Sequence, residues 1–287
     1  MLYRGHYSGF GLVCSLSFAV RQTWLQLEAK YHELVCSPVG RCIYCGRTSV
    51  TLSDEHIIAV AIGGRWVLPH ASCKRCAKLT TRLEGHCFAG TIKAYGTQVG
   101  LHGRRKKKVP TAFTMAVRHL NGHVETKELP TEEYPAFMIM PFLHSPPAFL
   151  YPMEQRMELK LTAWAHVTNP EVIKQYPKGT RVGGTPFHPG KWLRMLAKVA
   201  HSYAVAKEGI DGFTPLLRDL IRGRDDDYGL LIGILDRKTP QERGTLHAVY
   251  LWIAHVSGAV EKRYLVAEIH LFTNLGAPHY HIVVGEL

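Results

Sequence analysis

Apolar residues recur along the chain in blocks whose period alternates between that of a helix and that of a strand. Around residues 21–34, Val20, Trp24, Leu25, Leu27, Tyr31 and Leu34 make one stripe, which predicts a helix packed on the segment that follows. Ser37, Pro38 and Gly40 then break the pattern. Between 41 and 72 it shortens to strand length: residues 51–58 are short and β-branched enough for a strand, 56–61 carry it on, and 66–68 pair back across a Gly63-Gly64 turn. Helical spacing returns over 74–88, where Leu79, Leu83 and Cys87 fall four apart and Lys74, Arg75, Lys78 and Arg82 take other faces.

Residues 89–103 are rich in glycine and lead into a cationic run, which reads as a linker. Beyond it, residues 111–117, 136–142 and 159–167 predict strands, set among frequent prolines. The strongest helical signal in the chain is residues 191–209, with Trp192, Met195, Leu196, Val199 and Tyr203 on one stripe and Gly209 at the stop. A shorter helix is predicted over 215–222. Three strands, 245–255, 263–272 and 279–284, finish the chain, with a turn at 274–278. The expected organisation is α+β: an N-terminal helix (1–37), a small module (38–90), a Gly-rich basic linker (91–110) and a C-terminal α+β domain with an antiparallel sheet (111–287).

Charge sharpens that division. The net charge is +12, and residues 41–108 hold thirteen Lys or Arg against three acidic residues. Such focusing on about a quarter of the chain predicts a surface for phosphates. Seven cysteines, four of them in two Cys-x-x-Cys pairs, argue for metal thiolates in a reducing compartment, hence a cytoplasmic protein. Cys14, Cys36 and Cys87 are left over and read as small buried residues. Residues 9–20 resemble a weak secretion signal, but the apolar stretch is short and lacks a small-x-small cleavage site. No run is long enough to span a bilayer, so no membrane partner is expected.

The most specific chemistry lies in the module. Cys42 and Cys45 precede Cys73 and Cys76 by a gap of 27 residues, and four thiolates so arranged suit a closed tetrahedral zinc site of structural type. Between the pairs stand Asp54-Glu55-His56-Ile57-Ile58 and Gly63-Gly64. In that order and spacing, these pieces resemble the HNH endonucleases, in the four-cysteine zinc-clamped subgroup found in uncharacterised bacterial proteins. The resemblance covers about seventy residues and implies a ββα-metal fold. It also implies that His56 is the general base, that Glu55 is an oxygen ligand of a catalytic Mg²⁺ or similar divalent ion, and that the partner is nucleic acid, DNA ahead of RNA. One position departs from the family pattern: Ala77 stands where Asn or His commonly follows the last cysteine. Glu84, two turns on along the same helix face, is the candidate replacement ligand, His86 a weaker one, and His70 a stand-in for the central Asn of the signature.

Phosphate contacts are expected from Arg65, Lys74, Arg75, Lys78 and Arg82, and from the run Arg104, Arg105, Lys106, Lys107 and Lys108. Trp66 or Tyr95 could stack on a base. Elsewhere Asp225, Asp226 and Asp227 read as an acidic turn, His279 and His281 as a structural pair without a third ligand, and His201 as a buried hydrogen-bonded histidine. The expected function is metal-dependent hydrolysis of phosphodiester bonds. The alternative is a zinc-dependent nucleic-acid-binding protein with a degenerate site. The C-terminal domain would select substrate, mediate self-association into a homo-oligomer, or sense a signal.

Overall fold

A computed structural model describes residues 36–88, 92–101, 109–150, 161–183, 187–234, 246–256 and 261–287. The helix expected at 21–34, Cys14, and the cations Arg104, Arg105, Lys106, Lys107 and Lys108 lie outside those residues. The fold is mixed α/β, and its sheets are antiparallel.

Strands β1 (Leu52–His56) and β2 (Val67–Cys73) pair as a hairpin, and α1 (Lys74–Phe88) begins at the next residue. Strand β1 is shorter than the pattern predicts, because the chain turns at Val60–Ile62 into one 3₁₀ turn. Two glycines make that turn possible. Gly63 has φ of 91°, and a Cβ on Gly64 would lie 2.0 Å from the Ile58 carbonyl oxygen. A second helix, α2 (Ile92–Gln98), occupies part of the expected linker, with Ile92, Ala94, Tyr95 and Gly96 buried. Its Gln98 amide donates to the Thr131 and Tyr134 carbonyls, both at 2.7 Å, which ties this stretch to the C-terminal body.

That body starts with β3 (Ala112–Arg118) and β4 (Val124–Pro130), then β5 (Phe137–Leu143) and β6 (Leu161–Val167), which pair with each other. A short helix α3 (Pro170–Lys174) leads to β7 (Arg181–Gly183), which joins the other side of β3. Next come α4 (Pro189–Glu208), β8 (Thr214–Pro215), α5 (Arg218–Arg222), α6 (Tyr228–Leu231) and β9 (Ile232–Gly233). Long strands β10 (His247–Val256), β11 (Lys262–Leu271) and β12 (His279–Glu286) form the main sheet in sequence order, and β8 and β9 pair with β12.

The sheet and the hairpin meet on α4. Residues from Trp192 to Val205 are almost all buried, and the helix packs against α1, α5, α6, β5 and all three long strands. A helix apolar on all sides belongs inside a core. Three buried residues in it are polar: Lys198, His201 and Ser202. At spacings of three and four they share one face, and each reaches into the hairpin segment.

The pair His279 and His281 has a third partner that the sequence pattern did not disclose. Glu268, opposite His281 on β11, is buried, with its oxygens 3.5 Å from the Nε2 atoms of both histidines. Burial, more than the neighbouring His270, holds the His279 imidazole down at about 4. Among the described residues no helix is long and apolar enough to cross a membrane.

His247 makes the second tie between sheet and hairpin segment. Its Nε2–H donates to the Ile62 carbonyl at 2.7 Å, and its Nδ1 accepts the Phe272 N–H at 3.1 Å, which fixes a neutral tautomer. Burial lowers its pKa to about 4. The unfolded chain therefore binds this proton first, and stability is lost as pH falls from about 6.5 through 4. Replacing His247 with Gln is expected to flatten the decline of urea-unfolding free energy over that window by roughly 2–3 kcal/mol relative to wild type. An unchanged decline would mean that His247 does not carry it.

Candidate functional site

The two Cys-x-x-Cys knuckles converge. Cys42, Cys45, Cys73 and Cys76 place their sulfurs within 4.8 Å of one another, and Cys45 Sγ lies 3.7 Å from Cys73 Sγ. Sulfurs bound 2.3 Å from a tetrahedral zinc lie about 3.8 Å apart, so the donors fit such an ion. The Cys76 thiol and the backbone N–H groups of Cys73, Cys45 and Tyr44 hold the Cys42 thiol below the usual thiol range. Among the described residues no other cluster of His, Cys, Asp and Glu is as close. Cys36 and Cys87 stand apart from it as free thiols, and burial pushes Cys87 up to about 12. With four thiolates and no open position, the centre can brace the fold but offers nothing to a substrate.

The rest of the segment is organised by a bulge. Ser53 pairs with Ser72 but Glu55 with Leu68, so β2 carries extra residues opposite Asp54. His70 takes the left-handed conformation there (φ 51°), and its N–H donates to Asp54 Oδ1 at 3.2 Å. The His70 side chain is exposed on this bulge. After it the strand alternates normally, which turns Glu55 inward and leaves His56 half-buried at the strand's end.

Glu55 meets a lysine from the other end of the chain. The Lys198 ammonium, 1% exposed, lies 2.9 Å from Glu55 Oε1 and 2.8 Å from Glu84 Oε1. It also donates to the His56 carbonyl and, at 3.3 Å, to the Ile57 carbonyl. Burial alone would favour neutral lysine; the two carboxylates outweigh it and raise the pKa, so Lys198 carries its charge. Burial likewise pushes the Glu55 carboxyl up, against the pull of Lys198 and a hydrogen bond from the Tyr44 hydroxyl. That hydroxyl is also 3.0 Å from Ser202 Oγ. One turn along α4 from Lys198, His201 Nε2–H donates to the Ile43 carbonyl at 2.9 Å, and Arg218 Nε–H bonds the same oxygen at 3.0 Å. Burial lowers His201 to about 4, which keeps it a neutral donor.

Both Cys pairs, the hairpin and α1 thus form one unit fastened to α4. Residues 42–86 match the HNH endonuclease family. No curated protein and no solved structure matches the chain. The HNH match gives this segment a nuclease or nucleic-acid-related role.

Within the HNH segment, the residues expected to act together are distributed differently from expectation. Glu55 and Glu84 do converge, but on Lys198, and the ammonium fills the space in which both could have shared a metal ion. Ala77 adds no donor, so this carboxylate pair does not fit a divalent ion as it stands. Arg65, Lys74, Arg75, Lys78 and Arg82 are all exposed, in keeping with contacts to phosphates. Trp66 and Tyr95 are not free to take a base: Trp66 stacks on Tyr203 with centroids 5.5 Å apart, and Tyr95 is buried against Phe272. Lys198 went unrecognised in the sequence, although a lone lysine among Met195, Leu196, Ala197, Val199 and Ala200 is a signal of buried ion pairing.

Two outcomes follow for the purified protein. Chelation of its metal, or Cys73→Ser, is expected to release zinc and unfold the hairpin segment, seen as loss of amide-exchange protection at residues 42–76. Lys198→Met is expected to lower the unfolding free energy by about 3–5 kcal/mol, because two carboxylates lose their counter-charge. Adding Glu55→Gln should recover part of that loss; no recovery would mean that the Glu55–Lys198 pair is not what Lys198 stabilises.

Proposed function

We propose that the HNH segment makes this protein a phosphodiester hydrolase acting on nucleic acid, DNA ahead of RNA, with His56 as the general base. The observation that carries the reading is the family match over residues 42–86, which covers both Cys pairs, β1, β2 and most of α1; His56 is the last residue of β1 within it. An imidazole is neutral in large part near pH 7 and can take a proton from water. The water oxygen then adds to phosphorus, the bond to the leaving oxygen breaks, and that oxygen departs with a proton from solvent. The four-cysteine centre holds zinc as a brace and takes no part in this step.

A divalent ion of the kind the resemblance implies would require Glu55 or Glu84 to leave Lys198, so no step is assigned to one. That same ion pair favours a second reading, in which the protein binds nucleic acid through a degenerate site and cleaves nothing.

The two readings separate when wild type and His56→Ala are incubated with supercoiled plasmid or with RNA, in Mg²⁺, Mn²⁺ or chelator. The hydrolase reading expects cleavage by wild type, reduced about 10²–10⁴-fold in the variant. Equal cleavage by both proteins would trace it to another source and overturn the reading. Binding without cleavage would establish the second one.

A further inference from the structure

Two adjoining clefts run along the side of α1 away from Glu84, and they share Arg75 and Leu79 in their walls. The larger, about 370 Å³, lies between α1 and the start of α4. Lys78 and Arg82 face it from α1, and Lys191 and Arg194 from α4; His86 closes one end. Its apolar floor is Leu79 and Leu83. In the smaller cleft, Arg47 of the first knuckle, Arg222 at the end of α5 and Arg224 just beyond it surround Cys45 and Cys76. No carboxylate lines either cleft.

Some of this charge has an internal explanation. A zinc ion on four thiolates leaves a net negative centre, which the arginines around Cys45 and Cys76 can balance. Asp219 also lies 3.8 Å from Arg222 and 3.5 Å from Arg224. Neither explanation extends to the larger cleft, whose lining holds no thiolate and no acid; Arg194 there donates to the Ile221 carbonyl at 2.9 Å, which leaves the charge of Lys78, Arg82 and Lys191 to account for. Cations spaced along two helices repel one another, and an elongated polyanion relieves that repulsion along the whole row.

We infer that the α1–α4 cleft is the groove that grips the phosphate backbone, so that the C-terminal body supplies one wall of the nucleic-acid interface. The inference rests on the reading that the protein acts on nucleic acid. It gives α4 a second duty beyond the core: Lys198 faces the HNH carboxylates, while Lys191, two turns earlier, faces phosphate, and Arg194 between them ties the helix to the Ile221 carbonyl. Backbone contacts of this kind hold a strand in register without reading its bases.

The test is binding of a fluorescent duplex by the full chain, followed between about 50 and 200 mM salt. Removing one cation that neutralises a phosphate reduces the slope of log affinity against log salt by about 1. Lys191→Gln should therefore reduce it by about 1, Lys78→Gln with Lys191→Gln by about 2, and Lys191→Arg should leave it unchanged. As a control, Lys127→Gln with Lys178→Gln removes two exposed cations that line neither cleft and should preserve the slope. An unchanged slope in Lys191→Gln and in Lys78→Gln with Lys191→Gln, or an equal change in the control, would overturn the groove while wild-type binding kept the nucleic-acid reading. Wild-type affinity that is weak and insensitive to salt would remove both.

Discussion

The Lys198 ammonium is the contact on which the arrangement of this molecule depends. Moving a charged lysine out of water costs several kcal/mol unless partners replace the lost hydration. Here two carboxylates and two backbone carbonyls do so, and they come from three parts of the HNH segment: β1, the turn after it, and α1. The bond that neutralises the lysine therefore also sets the angle at which α1 lies against the hairpin. The Cys cluster performs the same service at the other end of the segment, where it joins the turn before β1 to the start of α1. A four-sulfur cluster fit for a metal ion and an ion pair thus share the work of holding a hairpin that is too small to own a core.

Helix α1 divides two kinds of chemistry. At about 100° per residue, Glu84 stands roughly opposite Arg75, Lys78 and Arg82. Its inner side meets Lys198, and its outer side carries the cations. This explains how a segment so rich in positive charge can still bury a lysine: the carboxylates are gathered inside, and the surface excess is what remains. It also explains why a family match confined to residues 42–86 understates the site, since many of the groups that face those residues come from α4 and α5.

Much of this was legible in the chain. Helix α1, with boundaries at 74 and 88, and helix α4 follow from apolar spacing strong enough to override local exceptions. Strands β10, β11 and β12 are long and rich in β-branched and aromatic residues, and the Cys spacing pointed directly to the four-sulfur cluster. Strand β4 was not legible, because only Leu129 in it is buried and an edge strand of Glu, Thr and Lys shows no alternation. Nor was α2, whose buried face includes Gly96. The largest omission was the partner of Glu55 and Glu84. Lys198 lies 142 residues from His56 in sequence, and no local period records a contact made across that distance.

The face of α4 that carries Lys198, His201 and Ser202 bears on where this chain could be cut. A short segment clamped by two Cys pairs has the look of a cassette that could be moved whole from one chain to another. In this chain, excision near residue 90 would expose Glu55 without its cation, Tyr44 without Ser202, and the Ile43 carbonyl without either of its donors. Recombination that kept the cassette and exchanged the remainder would have to bring along a helix with the same three polar residues at the same spacing. The smallest part that keeps these contacts is accordingly the pair, cassette plus helix, although several strands separate the two in sequence.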